Sequence, residues 1–339
     1  MKSTEKFTIK DVAKKSGYSV ATVSAVINDL PIVSEKSKNR ILKVIDEMGY
    51  RPNNIARSLK NSKTSTLGIL VRDITNPFYP ALISGIEEVA WGKNYEVFLC
   101  NTENDIEKEK KYIDNLISKQ VDGIFITTAS TKRTIDYNVL NESNIPYVFV
   151  NRKPDLLFEN ESYVGVDNYA AVEKGIRYLI NKNINKIAFY AGPQGFSTFQ
   201  QRYNAYKIAV KEESLIFKEE WLFMNEEFDE NAGYQSTLKL LESNSLPECI
   251  FCSSDLMAFG AFKALTEKGL KIPDDIYLMG TDNNRFGELI GLSSIDMKNK
   301  EIGRQAAEIL IELLNSNTDK VQKDNEIILQ PELILRNSC

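Results

Sequence analysis

Residues 7–28 read F-T-I-K-D-V-A-K-K-S-G-Y-S-V-A-T-V-S-A-V-I-N, and this stretch decides how the first part of the chain folds. Thr8 stands where a helix N-cap belongs, with Asp11 three residues on and Ile9, Val12 and Ala13 at i, i+3, i+4 spacing. Gly17-Tyr18 supplies a tight turn. Ser19 then caps a second helix whose apolar stripe is Val23, Val26 and Ile27, leaving Ala21, Ala25 and Asn28 for the opposite face. Two short helices joined by a glycine turn, the second showing small side chains, form the pattern of a helix-turn-helix that sets its second helix in a DNA major groove. A helical hairpin packed on a core has the same periodicity, so the rest of the chain has to decide.

Charge favours the first alternative. The 339-residue chain carries a net −5, but residues 1–63 hold 13 Lys/Arg against 6 Asp/Glu, and the remainder holds 29 against 41. A basic head on an acidic body is the asymmetry expected when only the head meets phosphate. Thr8, Ser19, Thr22, Ser24 and Asn28 are suited to phosphate and positioning contacts through hydroxyls, an amide and helix N-termini.

Composition removes several function classes. No apolar run approaches the ~18 residues of a membrane span, and the N-terminus lacks the apolar segment of an export signal, so a cytoplasmic protein without a membrane partner is expected. Four cysteines in such a length fit a reducing compartment. The absence of histidine excludes His-dependent triads and the usual zinc sites. Cys249 and Cys252 form a C-x-x-C, but inside the apolar run E-C-I-F-C-S, where buried strand cysteines are expected rather than a metal site. With no P-loop, no G-x-G-x-x-G after a strand and no nucleophile–base pair, no enzyme, metal or cofactor is expected.

Downstream, Ser34 caps a third helix with Ile41, Leu42, Ile45 and Met48 on its apolar face and Gly49 at its end. Residues 1–51 thus form a three-helix DNA-binding domain. Residues 52–65 form a hinge and linker, in which Asn53 can cap a helix ending near Leu59, too short to persist alone in water. From residue 66 the pattern changes. L-G-I-L-V, E-V-F-L-C, G-I-F-I-T and Y-V-F-V-N alternate with helical stretches, and the alternation restarts at Y-V-G-V-D (163–167), continuing through K-I-A-F-Y-A-G-P, C-I-F-C and Y-L-M-G-T-D. The expected fold is therefore an all-α helix-turn-helix head followed by an α/β core, residues 66–339, of two doubly wound parallel sheets in two lobes. The lobes are placed at about 66–162 plus 295–322 and about 163–294 plus 323–339.

Ligands in open α/β sheets sit beyond the carboxyl ends of the strands. That rule nominates Asn76, Phe78, Asn151 and Arg152 in the first lobe. In the second it nominates Ser197, Arg202, Phe228, Ser254, Asp255 and Asp282. Arginine, aspartate and an aromatic platform suit a carbohydrate, with charged groups forking onto hydroxyls and a ring stacking on CH faces.

The runs T-I-K-D-V-A-K-K-S-G-Y-S-V-A-T-V-S and V-S-E-K-S-K-N-R-I-L-K-V-I-D-E-M-G-Y-R-P-N-N-I-A-R-S-L-K resemble the lactose-repressor/galactose-repressor family of bacterial transcription regulators. The likeness continues through L-G-I-L-V-R-D-I-T-N-P-F-Y, Q-V-D-G-I, V-G-V-D-N, D-L-M-A-F-G-A and G-T-D-N, and so covers essentially the whole chain. It implies a homodimeric repressor that binds a pseudo-palindromic operator on double-stranded DNA. It also implies a core like a periplasmic sugar-binding protein, controlled by a small-molecule effector, a sugar or sugar derivative.

The resemblance puts Val20, Ala21 and Ala25 at the base-reading positions. Many relatives carry Arg or another hydrogen-bonding residue where Ala25 stands; alanine can only meet a thymine methyl or fill space. It makes Leu59 a wedge in the minor groove that kinks the duplex, with Arg57 and Lys60 on phosphate. It makes Arg202 and Asp282 effector contacts. Ser254 stands where several sugar-responding relatives have Asn, and Met297 where Gln is frequent. Two further readings are a solute-binding protein without gene regulation, which would need an export signal and lack the head, and a catabolite regulator dependent on a phosphoprotein corepressor. Nothing after I-I-L-Q-P-E-L-I-L-R resembles a tetramerising heptad, which favours a dimer.

Overall fold

Helix α1 (Ile9–Ser16), α2 (Val20–Ile27) and α3 (Glu35–Met48) make up the head. The computed structural model describes residues 7–51 and 63–339, except 160, 214, 244 and 316–325. Thr8 donates its backbone N–H (2.8 Å) and its hydroxyl (2.7 Å) to Asp11 Oδ2, which closes the start of α1 and holds the Asp11 carboxyl below its ordinary value. Ser19 and Ser34 each accept a backbone N–H from three residues on, capping α2 and α3. Val12, Ala13, Val23, Val26, Ile41 and Val44 close into a small core. The expected hinge helix, with Asn53, Arg57, Leu59 and Lys60, lies outside the described residues.

In the core, one parallel sheet comprises β1 (Thr66–Val71), β2 (Glu96–Asn101), β3 (Gly123–Ile126), β4 (Tyr147–Val150), β5 (Ser162–Val166) and β11 (Glu326–Leu329), in the order β11-β5-β4-β3-β1-β2. The other comprises β6 (Ile187–Ala191), β7 (Leu222–Met224), β8 (Cys249–Cys252), β9 (Tyr277–Asp282), β10 (Ser293–Asp296) and β12 (Glu332–Ile334), in the order β12-β10-β9-β8-β6-β7. All pairings are parallel except β10 with β12. The first sheet carries α4 (Phe78–Gly92), α5 (Ile106–Ser118), α6 (Asn138–Glu142) and α12 (Asn299–Asn315). The second carries α7 (Asn168–Asn181), α8 (Ser197–Glu212), α9 (Glu230–Leu241), α10 (Asp255–Glu267) and α11 (Arg285–Leu289). Strands such as L-G-I-L-V and Y-V-F-V are buried along their whole length, as strands with both faces covered must be.

The lobe boundaries differ from the sequence expectation. Strand β5 belongs to the first sheet, paired between β4 and β11 and buried along its whole length; the chain crosses to the other lobe only at α7. Strand β10, with Ile295 and Asp296, belongs to the second sheet, and β11 to the first. The apolar run I-I-L-Q-P-E-L-I is thus two strands in different sheets. Pro331 has no N–H to continue a ladder, so the run breaks there and crosses between the lobes.

Helices α4 and α12 touch backbone to backbone. A Cβ on Gly85 would stand 2.0 Å from the Lys300 carbonyl oxygen, and one on Gly303 would stand 2.1 Å from that of Leu82. This contact carries α12 back onto the first lobe after the chain has visited the second. No helix among the described residues is long and apolar enough to cross a membrane.

Candidate DNA-reading helix and effector cleft

Helix α2 has an open and a closed side. Val20 is 41% exposed and Ala21 is exposed, whereas Thr22 and Ser24 are half-buried. Ala25, expected on the open face, is closed off at 4% exposure: Leu30 donates its N–H to the Ala25 carbonyl (3.0 Å) as the chain turns back over it. Several polar side chains are partly engaged. The Ser19 and Thr22 hydroxyls pair at 2.9 Å, and the Asn28 amide donates to Ser24 O at 2.8 Å. With no Lys or Arg between Val20 and Ile27, this helix carries methyl groups and hydroxyls and lacks the bidentate donors that fork onto guanine.

In the core, both sheets reverse strand order beside their central strands, β1/β3 in one lobe and β6/β8 in the other, and the loops leaving those strands face one another. Asn76, Phe78, Tyr79, Asn151 and Arg152 from the first lobe meet Thr198, Phe199, Arg202, Phe228, Ser254 and Asp282 from the second around a nearly closed cavity of about 20 Å³. Eight of the ten residues nominated from sequence line it. Ser197 and Asp255 do not. The Ser197 hydroxyl is turned to the backbone, accepting the Lys153 N–H (3.3 Å) across the lobes. Asp255 is fully buried behind Asp282, taking the Ser294 hydroxyl (2.6 Å) and the Asn284 N–H (2.8 Å).

Local backbone explains how the polar groups are aimed. Asn151 has φ 63°, a left-handed conformation that asparagine tolerates, and this kink directly after β4 precedes Arg152 in the cleft. Asp282 ends β9 at φ 129°, where an L-residue is strained. The neighbouring chain is held firmly: Asn283 N–H donates to Ser294 Oγ (3.0 Å), and Arg336 donates to Asn283 Oδ1 (2.7 Å). Such over-determined surroundings let a strained residue persist.

Electrostatics here are dominated by burial. Arg202 is 3% exposed; its Nε donates to Asn168 Oδ1 (2.8 Å) and its Nη1 to Ser253 O (2.6 Å), with Asp282 Oδ1 at 3.8 Å. Burial lowers its pKa, and Asp282 and Asp255 oppose that. Burial pushes Asp282 up to about 7 against the pull of Arg202, with the neighbouring Asp255 adding to the rise. Asp255 is pushed up to about 6 by burial, offset by the Ser294 and Asn284 hydrogen bonds. Arg152 lies across the Phe196 ring at 3.9 Å, and burial brings it down to about 10. Arg72 lies over Phe228 at 4.4 Å and reaches across the lobes to Glu227 at 2.5 Å.

Sequence reasoning missed Tyr79, Thr198 and Phe199 in the lining, and Arg72 and Phe196 beside it. Arg72 follows β1 directly, so the strand-end rule could have found it. The aromatic doublet at 78–79 and the F-S-T-F at 196–199 were further signals.

Comparison with known proteins agrees with this construction. Residues 8–53 match the family described as bacterial regulatory proteins, lacI family. Residues 64–330 match the family described as periplasmic binding proteins and sugar binding domain of LacI family. The HTH-type transcriptional repressor PurR of Haemophilus influenzae (strain PittEE) is 34% identical over 337 residues, covering 98% of each chain. The lac repressor dimer bound to operator and the anti-inducer ONPF shares the fold, with TM-score 0.85 over 98% of this chain and 99% of that one at 21% identity. A LacI family transcriptional regulator from Enterococcus faecium with bound ribose aligns over 80% of this chain and 98% of its own, with TM-score 0.68 and 26% identity. These relatives are regulators rather than enzymes. The chain therefore belongs to the lacI family of bacterial regulatory proteins: a DNA-binding transcriptional regulator with a helix-turn-helix head and a periplasmic-binding-type core.

Proposed function

We propose that this regulator is a repressor whose core takes a sugar or sugar derivative between its lobes, and that occupancy sets the affinity of a homodimer for a pseudo-palindromic operator. The observation that carries the reading is the meeting of Asn76, Asn151, Arg152, Arg202, Ser254 and Asp282 with three phenylalanines in one space drawn from both lobes. Polar groups and rings lining one space match the hydroxyls and CH faces of a pyranose or furanose. A ligand touching both lobes changes their closure, and thereby the setting of the hinge at 52–65 through which Arg57 and Leu59 would engage DNA. Coupling of this kind is worth about 1–3 kcal/mol.

Dimerisation is supported by apolar side chains left open on the edge strand β2 and nearby. Phe98 and Leu99 are each 45% exposed and Trp91 is 71% exposed. A second reading, a planar heteroaromatic ligand such as a purine base, is favoured by the number of rings: Phe78, Tyr79, Phe199 and Phe228 all line the space. A thermal-shift screen of neutral sugars, acidic sugars, nucleosides and purine bases separates the two. Stabilisation by a sugar that is lost in Arg202→Ala supports the proposal; stabilisation by purine bases alone replaces it with the second reading.

A further inference from the structure

Arg152 is the one lining residue whose charge the cleft leaves unmet among the described residues. It is 4% exposed, its Nε and Nη1 have no hydrogen-bond partner, and no carboxylate comes within ion-pairing distance of it. Phe196 covers one face of its guanidinium at 3.9 Å, with Phe228 at 5.6 Å, so the edge is what remains for a partner. Arg72 shares both rings, at 5.8 Å from Phe196 and 4.4 Å from Phe228, and its Nη1 is likewise buried and unpartnered. The other cations named around the cleft have partners. Arg202 is spent on Asn168, Ser253 and Asp282. In the wider groove beyond Asp282, Lys298 meets Glu332 (2.8 Å) and Arg304 meets Glu88 (2.8 Å).

We propose that the effector is anionic, a sugar acid or a sugar phosphate, and that its carboxylate or phosphate is received on the free edge of Arg152 with Arg72 beside it. This rests on the carbohydrate reading above and narrows it. A buried, unpaired guanidinium is costly to keep. Sugar hydroxyls would supply dipoles to it, but an anion supplies both the opposite charge and the paired acceptors that the planar Nε/Nη edge fits. The division of labour is then simple: Asp282, set in place beside Arg202, meets hydroxyls, the phenylalanines meet the ring, and Arg152 meets the charge.

Calorimetric titration of the full chain with matched sets tests this: glucose, glucuronate and glucose 6-phosphate; galactose and galacturonate; ribose and ribose 5-phosphate; and hypoxanthine and guanine. The expected result is that an acidic member binds at least tenfold more tightly than its neutral parent. Carboxylate or phosphate is then identified by which acid wins. Arg152→Gln should erase that preference, so that the acidic member binds no more tightly than its neutral parent measured in the same variant. Arg152→Lys, which keeps the charge without the fork, should restore part of the preference and guards against a folding defect in the first variant. A neutral sugar binding most tightly, no acidic sugar binding in the millimolar range, or Arg152→Gln retaining the preference would each overturn the inference. Of these, a neutral sugar binding best leaves the carbohydrate reading standing, whereas purine bases binding best removes both.

Discussion

Arg202 Nη1 stands 3.8 Å from Asp282 Oδ1, and the two are held very differently. The arginine is fixed by two hydrogen bonds to protein, while the aspartate side chain keeps 11% of its surface open and ends its strand in a strained conformation. The arginine is thus anchored, whereas the aspartate, held by one long hydrogen bond from the Asp255 N–H to its Oδ2 (3.4 Å), keeps acceptor capacity for a ligand.

Asp282→Asn should therefore weaken effector binding about tenfold or more, ~1.4 kcal/mol, by removing a charge-assisted acceptor. Affinity for operator in the absence of effector should stay within about twofold of wild type. Calorimetry and DNA titration on the same preparation check both halves; an unchanged effector affinity removes Asp282 from the site.

The same carboxyls give the core a pH signature. Asp282 and Asp255 sit near 7 and 6, above their value in an unfolded chain, so the folded state holds protons that the unfolded state has released. Their contribution to stability is complete below about pH 4 and is lost as pH rises through both folded values. Since the groups interact, they titrate as a pair. Melting temperature without ligand should fall between pH 5 and 8, and the fall should be shallower in Asp282→Asn. An identical slope in the variant contradicts the assignment.

The contact between α4 and α12 predicts a packing defect. Gly85→Ala drives a methyl to within 2.0 Å of the Lys300 carbonyl, and backbone cannot step aside as a flexible side chain can. The expected loss is about 1–3 kcal/mol in denaturant unfolding of the core. A neutral effect would mean that the helices slide apart freely.

Much of this was legible in the sequence, and the exceptions have physical causes. Capping and periodicity placed the head helices because Thr8, Ser19, Ser34, Gly17 and Gly49 act on their own neighbours. The continuous apolar strands announced a sheet covered on both faces. What stayed hidden was non-local. Nothing in Y-V-G-V-D says which lobe it joins, because an apolar strand is equally at home in either. The burial of Ala25 depends on how the chain returns at Leu30. Strand ends located Asn151 and Asp282, and the loop after β6 pointed to Arg202 in the helix that follows it, but Asp255 and Asp282 have the same sequence signature. Only packing decides that one supports and the other faces the space.

On the head, the open and closed positions of α2 should respond differently to the same substitution. Ala21→Arg should shift the preferred half-site, because the side chain projects from an exposed position and can fork onto guanine. Ala25→Arg should instead destabilise the head by about 1–3 kcal/mol through overpacking. Site selection from random duplexes, with thermal melts of each variant, reads both effects. A shifted site with no stability loss for Ala25→Arg would mean that Ala25 is accessible after all.

The central claim is that what fills the core governs what the head binds. Its most direct test is fluorescence anisotropy of the full chain on a duplex selected from a random pool, titrated across a salt series with and without the ligand found by calorimetry. The account predicts a palindromic preference, affinity falling steeply as salt rises, and a ligand-dependent change of about 5–150-fold. Operator affinity that stays the same whether the cleft is empty or saturated would contradict it.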